Sequence, residues 1–137
     1  MITIKNNAFT LVEVIIVAVI VGILAGIVLP QYTKAVERNR SKEAKTNLRL
    51  IAAAEQQYYM EYSAYTATSS SISQINDLLR LSIAESANMW TYSVVNSGVN
   101  LTTNANRTDG PYSGCVYTLT VFKNNRVIGE PTGSNCP

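Results

Sequence analysis

From Leu11 to Leu29 the chain is apolar, with Glu13 as the one charged residue among 19. That run makes roughly 28 Å of helix at about 1.5 Å per residue, enough to cross a bilayer core. A short leader, Met1 to Ala8, precedes it with a single charge at Lys5, and Pro30 follows it. From Gln31 to about Tyr65 there is neither Gly nor Pro, and Ala, Glu, Lys, Arg and Gln abound, all good helix formers. Ala44, Leu48, Ile51, Ala54, Tyr58, Tyr62 and Tyr65 recur at spacings of three and four, which predicts one apolar stripe on a helix. Joined to the apolar run, this predicts a helix from about Phe9 to Tyr65, roughly 85 Å long. A helix of that length bundles with other chains or enters a membrane.

Thr66 to Ser71 reads as a loop, and Ile72 to Ile83 as a short helix. The period then changes to two. Trp90, Tyr92 and Val94 alternate with polar residues, Asn96-Ser97-Gly98 marks a turn, and Val99, Leu101 and Thr103 continue the alternation. A loop at Asp109-Gly110-Pro111 leads to a strand at Val116 to Phe122, and Lys123 to Arg126 turns the chain into a short strand at Val127–Ile128. The expected fold is α+β: a long protruding N-terminal helix packed against a small antiparallel sheet. Tyr58, Tyr59, Tyr62 and Tyr65 are expected beneath that sheet as core.

Charge changes little. The net charge is +2, and residues beyond Tyr65 are sparsely and evenly charged, so no nucleic-acid interface shows there. The basic residues cluster instead at Lys34, Arg38, Arg40, Lys42, Lys45 and Arg49, read as a solvated or intersubunit helix face. Histidine is absent, which removes the commonest general base and metal ligand. No zinc spacing and no phosphate loop is present. No catalytic residue, metal site or cofactor is therefore expected. The triplets Asn100-Leu101-Thr102 and Asn106-Arg107-Thr108 match a glycosylation pattern common by chance. The two cysteines, Cys115 and Cys136, lie behind the apolar run, where an even pair reads as a disulfide in an oxidising compartment. Without that bond, Gly129 to Pro137 would fray.

The stretch Ala8-Phe9-Thr10-Leu11-Val12-Glu13 carries the functional signal. Thr10-x-x-Glu13 has the spacing of a capping box. A carboxylate in a membrane helix costs about 2.5–3.5 kcal/mol at the centre, so a partner for Glu13 is expected. With its short leader, the Phe9-Thr10-Leu11-Val12-Glu13 run, Gly22 and Pro30, the sequence resembles the type IV pilins and the pseudopilins of type II secretion. The family nearly always has Gly before the cut, where this chain has Ala8.

That resemblance implies cleavage between Ala8 and Phe9 by a prepilin peptidase, which also methylates the new amine of Phe9. Glu13 would pair with the Phe9 amine of a neighbouring copy in a helical filament. Implied partners are copies of the chain itself, the peptidase/methyltransferase, an inner-membrane assembly platform, and the membrane before assembly. The implied segments are 1–8 as leader, 9–30 as membrane and filament core, 31–65 as amphipathic half, and 66–137 as loop and sheet head. Before assembly the chain would be a single-pass inner-membrane protein, and afterwards part of a surface pilus or a periplasmic pseudopilus. A disulfide-closed C-terminal loop favours the pilus. The positive-inside rule alone gives the opposite orientation, since Lys34 to Arg49 is more basic than the leader; the cysteine pair and the sheet place the head outside the cytoplasm. An ordinary secretory signal fits poorly, because the apolar core is too long and ends without a small-x-small site. A permanent single-span anchor is the other competing reading.

Overall fold

The computed structural model describes residues 9–84, 89–98, 100–122 and 126–137. The leader with Ala8, the turn residue Val99 and the Lys123–Asn125 turn lie outside the described residues. Two compact units divide the chain, Met1–Glu37 and Arg38–Pro137.

Helix α1 runs from Leu11 to Tyr62. In the first unit its side chains are exposed from Leu11 to Ala35. It is long and apolar enough to cross a membrane, with a mean hydropathy of 3.0 over its most apolar 18 residues. Pro30 sits inside the helix; lacking an N–H, it leaves the Gly26 carbonyl without its helical donor. The Thr33 hydroxyl donates to the Pro30 carbonyl at 3.0 Å. The helix stops three residues short of Tyr65 because Ser63 takes a left-handed conformation, φ 54°, which turns the chain.

In the second unit α1 presents Ala44, Leu48, Ile51 and Ala52 to the core. Helix α2, Ile72–Leu79, buries Ile72 and Ile75. It ends before Ile83 because Arg80 is left-handed at its C-cap. The Asn76 side chain then holds Ile83 from both sides, accepting from its N–H at 3.1 Å and donating to its carbonyl at 2.8 Å.

Four strands follow: β1 Trp90–Asn96, β2 Asn100–Arg107, β3 Val116–Phe122 and β4 Arg126–Ser134. They form an antiparallel meander in the order β1-β2-β3-β4. Alternation works as expected: Trp90, Tyr92 and Val94 of β1 face Leu101, Ala105, Tyr117, Leu119 and Val121 in one core with α1. The Asn47 amide donates to the Tyr92 hydroxyl at 2.9 Å, and the Lys45 ammonium lies 4.7 Å from the Tyr117 ring centre. The sheet face and the helix stripe therefore cover each other. At the β1–β2 turn Gly98 has φ 79°, open to glycine at no steric cost, and its N–H donates to the Asn96 side chain at 2.9 Å.

Two expectations need correction. The last strand is longer than the expected Val127–Ile128: β4 continues to Ser134, pairing Tyr117 with Gly133 and Val116 with Ser134. An irregularity between Thr118 and Thr120 and the edge position accommodate Pro131, so a Pro- and Gly-bearing sequence still makes a strand. Three of the four tyrosines do not join the core as expected. Tyr62 is exposed and Tyr58 and Tyr59 are half-buried, while Tyr65 packs against the core. The tyrosines pair along the helix end instead, Tyr58 with Tyr62 at 4.5 Å and Tyr59 with Tyr65 at 4.8 Å. The buried face turns from Ile51 and Ala52 to Glu55, one position away from the stripe expected through Ala54 and Tyr58, and the tyrosines fall at its margin.

Candidate processing and assembly site

The first described residues carry the motif. Phe9 is 80% exposed and precedes α1. The Glu13 N–H donates to the Thr10 hydroxyl at 3.3 Å, and the Thr10 N–H donates to the Glu13 carboxylate at 3.5 Å. These are the two reciprocal contacts of a capping box. The Val14 N–H donates to the Thr10 carbonyl at 3.3 Å and closes the first turn. The expected cap is therefore present. Thr10 satisfies an amide that would otherwise be orphaned at a helix start, and a carboxylate in the first turn complements the helix dipole. Phe9 and Glu13 also border one shallow, almost wholly apolar depression with Val14, Val17 and Val21. Ala8, on the far side of the expected cut, lies outside the described residues.

The head holds the second set of expected site residues. Cys115 and Cys136 are joined, with Cα atoms 4.9 Å apart. The bond ties the residue before β3 to the residue two beyond β4. Tyr117 lies beside it, close enough that a side chain at Gly133 would meet the Tyr117 ring and the Cys136 sulfur.

One polar group beside the core has no counterpart among the expected residues. Glu55 is fully buried, and its carboxylate accepts both the Thr66 N–H, at 3.1 Å, and the Thr66 hydroxyl. Burial pushes its pKa up, and the Thr66 bonds pull it partly back. The Thr66 carbonyl in turn accepts from the Asn96 amide at 2.8 Å, and the Thr68 hydroxyl accepts from the Asn96 N–H at 3.0 Å. Ser69 and Val94 exchange two backbone bonds, at 2.9 and 2.7 Å. Glu55 thus pins the loop after α1, and that loop covers the free edge of β1. Glu55 was legible in principle: it stands at the third and fourth positions after Ala52 and Ile51, where the stripe calls for an apolar residue.

The basic helix face divides. Lys45 is drawn over Tyr117, whereas Arg38 and Lys42 are exposed. Arg107, at the inward end of β2, lies 5.4 Å from the Trp90 ring centre and donates through Nε to the Asp109 carbonyl at 2.6 Å. That bond anchors the β2–β3 loop. Among the described residues no cluster of three or more His, Cys, Asp or Glu could hold a metal ion.

Comparison with known proteins bears on the N-terminal motif. Residues 4–29 match the family described as the prokaryotic N-terminal methylation motif. Over 62 residues the chain is 40% identical to the type IV major pilin protein PilA of Myxococcus xanthus, covering 45% of this chain and 28% of that protein. Over 64 residues it is 38% identical to the type II secretion system core protein G of Pseudomonas aeruginosa, covering 47% of this chain and 45% of that one. The matched stretch is therefore less than half of either relative. No solved structure matches the chain.

Proposed function

We propose that this chain, which bears the N-terminal methylation motif, is a structural subunit of a type IV pilus-like filament. The observation that carries the reading is the conjunction of that motif with an exposed apolar helix whose start is capped by Thr10 and Glu13. The chain is inserted in the membrane as a precursor, cut between Ala8 and Phe9 on the cytoplasmic face, and methylated on the Phe9 amine. Its segments act in turn: 1–8 is discarded, 9–30 holds the membrane and then the filament core, and 31–65 with 66–137 forms the displayed part. The work is assembly, and no catalytic step belongs to it.

The chemistry supports a role for Glu13 beyond the cap. Inside hydrocarbon a lone carboxylate costs about 2.5–3.5 kcal/mol at mid-membrane. A carboxylate and an ammonium buried together cost far less than either alone. A neighbouring copy's Phe9 amine supplies that cation, and Thr10 can hold the other carboxylate oxygen at the same time. Membrane extraction and filament packing are thereby coupled, because the subunit leaves lipid into a bundle that neutralises its one buried charge.

A pseudopilin of a type II secretion system is the second reading, favoured by the similarity to a core protein G. The Cys115–Cys136 bond favours the pilus, because an exposed appendage gains from a covalently closed tail. One experiment addresses both. Cells carrying Glu13→Ala should insert the protein normally and lose fibres, while the wild type shows surface fibres by electron microscopy. Fibres of wild-type number and length in the mutant would reduce Glu13 to a helix cap. Unchanged surfaces together with lost protein export on gene deletion would select the pseudopilus.

A further inference from the structure

The apolar surface from Leu11 to Leu29 is already occupied by the membrane and filament roles, but a groove in the second unit has no occupant. It lies between the last turns of α1 and the C-terminal end of α2. Leu50, Tyr62 and Leu78, all in its lining, are 45%, 54% and 47% exposed. Large apolar side chains gathered beside polar ones in one concavity mark an interaction surface. Its charges are Glu61 and Asp77 against Arg80, so the lining is net acidic. Elsewhere on the same helix Arg38 and Lys42 stand exposed one turn apart.

We infer that this groove seats a second copy of this chain, with the neighbour's Arg38 and Lys42 set against Glu61 and Asp77. The inference rests on the filament reading, in which copies pack with α1 parallel. Arg38 and Lys42 precede the middle of the groove by about 17 residues, or roughly 25 Å of helix. A parallel copy displaced by that length toward the C-terminal end of α1 brings its basic pair level with the groove. At about 3.6 residues per turn the basic pair also faces roughly a third of a turn away from the groove. The two surfaces are different patches on different faces, so the contact is heterologous and repeats from copy to copy instead of closing a two-fold dimer. That is the symmetry a filament needs. Opposite charges fix the register, and the exposed leucines and Tyr62 supply the buried area.

The test uses the full chain in cells that make filaments. Reversing the acidic pair (Glu61→Lys with Asp77→Lys) or the basic pair (Arg38→Glu with Lys42→Glu) should lower filament yield about tenfold, with subunit abundance and the Cys115–Cys136 bond unchanged. All four reversals together should restore most of the yield. Independently, co-expressed Asp77→Cys and Arg38→Cys chains should give a disulfide-linked dimer in filaments, read on a non-reducing gel. Wild-type yield in either reversed pair overturns the inference and leaves the filament reading intact. Loss without rescue and without the cross-link overturns it as well, as does a cross-link from Asp77→Cys to a different protein. Absence of filaments from the wild-type chain overturns both readings.

Discussion

Glu55 shows how much one side chain decides in a head this small. A buried carboxylate gains least where its surroundings are apolar, and burial is the larger cause here, with the two Thr66 bonds only partly offsetting it. Its pKa in the folded state therefore lies above its unfolded value. The folded state holds the proton more tightly, so the contribution of Glu55 is most favourable below the unfolded pKa and is lost as pH rises through the folded one. Glu55→Gln keeps an acceptor for the Thr66 N–H and gains a donor toward its hydroxyl. The melting temperature of the region from Gln31 onward should rise in the variant at pH 7, and the gap should close as pH falls toward 4. A gap of equal size at both pH values would mean that folding leaves the Glu55 pKa unshifted. The apolar period of α1 was legible in the sequence, and so were Ala44, Leu48 and Ile51 as its buried positions. The exact phase was not, because Glu55 and Tyr58 lie only about 60° apart around the helix, so that a small rotation exchanges which is covered. Tertiary packing, through Thr66 and Asn96, settled it in favour of the carboxylate.

At the scale of elements, the sheet was the easier half to read and its last strand the harder. Strict alternation over Trp90–Val94 and Val116–Phe122 fixes which face is buried, and an Asn-Ser-Gly turn fixes where the first hairpin bends. Arg126–Ser134 carries two glycines and a proline, a composition that argues against a strand unless it lies at an edge. It does lie at an edge, and pairing with β3 gives it order that the composition conceals. The disulfide therefore reinforces a strand that the ladder already holds. Cys136→Ser should cost roughly 3 kcal/mol by loop entropy, lower the melting temperature, and leave β4 paired. A collapse of the whole head in that variant would show that the ladder depends on the bond. Gly133 is the sharper probe of the same strand. A Cβ there would come within 2.4 Å and 2.7 Å of the Tyr117 ring and 3.0 Å of the Cys136 sulfur. Tyr117 is buried, with Trp90 packed 5.6 Å away, so the ring has little room to give way. Gly133→Ala should destabilise by about 1–3 kcal/mol, or roughly 4–8 °C per kcal/mol in a domain of this size. An unchanged melting temperature would mean that Tyr117 moves freely, and that β4 is less tightly held than its register indicates.

For the whole molecule the decisive quantity is where the mature chain begins. A start at Phe9 is compatible with the local structure: its side chain is exposed, α1 starts two residues later, and Thr10 and Glu13 cap that start. On the proposed reading a leader left in place would leave an uncharged Ala8–Phe9 peptide bond in place of the free amine that is to neutralise Glu13. On that reading a cut at any other bond near the leader would displace the amine by at least one residue from the proposed pairing with a neighbour's carboxylate. Ala8 is small, though it carries a methyl that glycine lacks. The motif was legible because its residues act locally, through spacing along one helix start; the partner proposed for Glu13 would lie on another copy and leaves no trace in one chain. Protein extracted from membranes and filaments should therefore have the intact mass of Phe9–Pro137, plus one methyl group on the N-terminal amine and minus two hydrogens for the Cys115–Cys136 bond. Slow cutting at Ala8 would leave a second, unmethylated full-length species confined to the membrane fraction. A filament subunit beginning at Met1, or a mature form beginning near Gln31, would remove the free Phe9 amine from the assembly and with it the reason for a carboxylate at position 13.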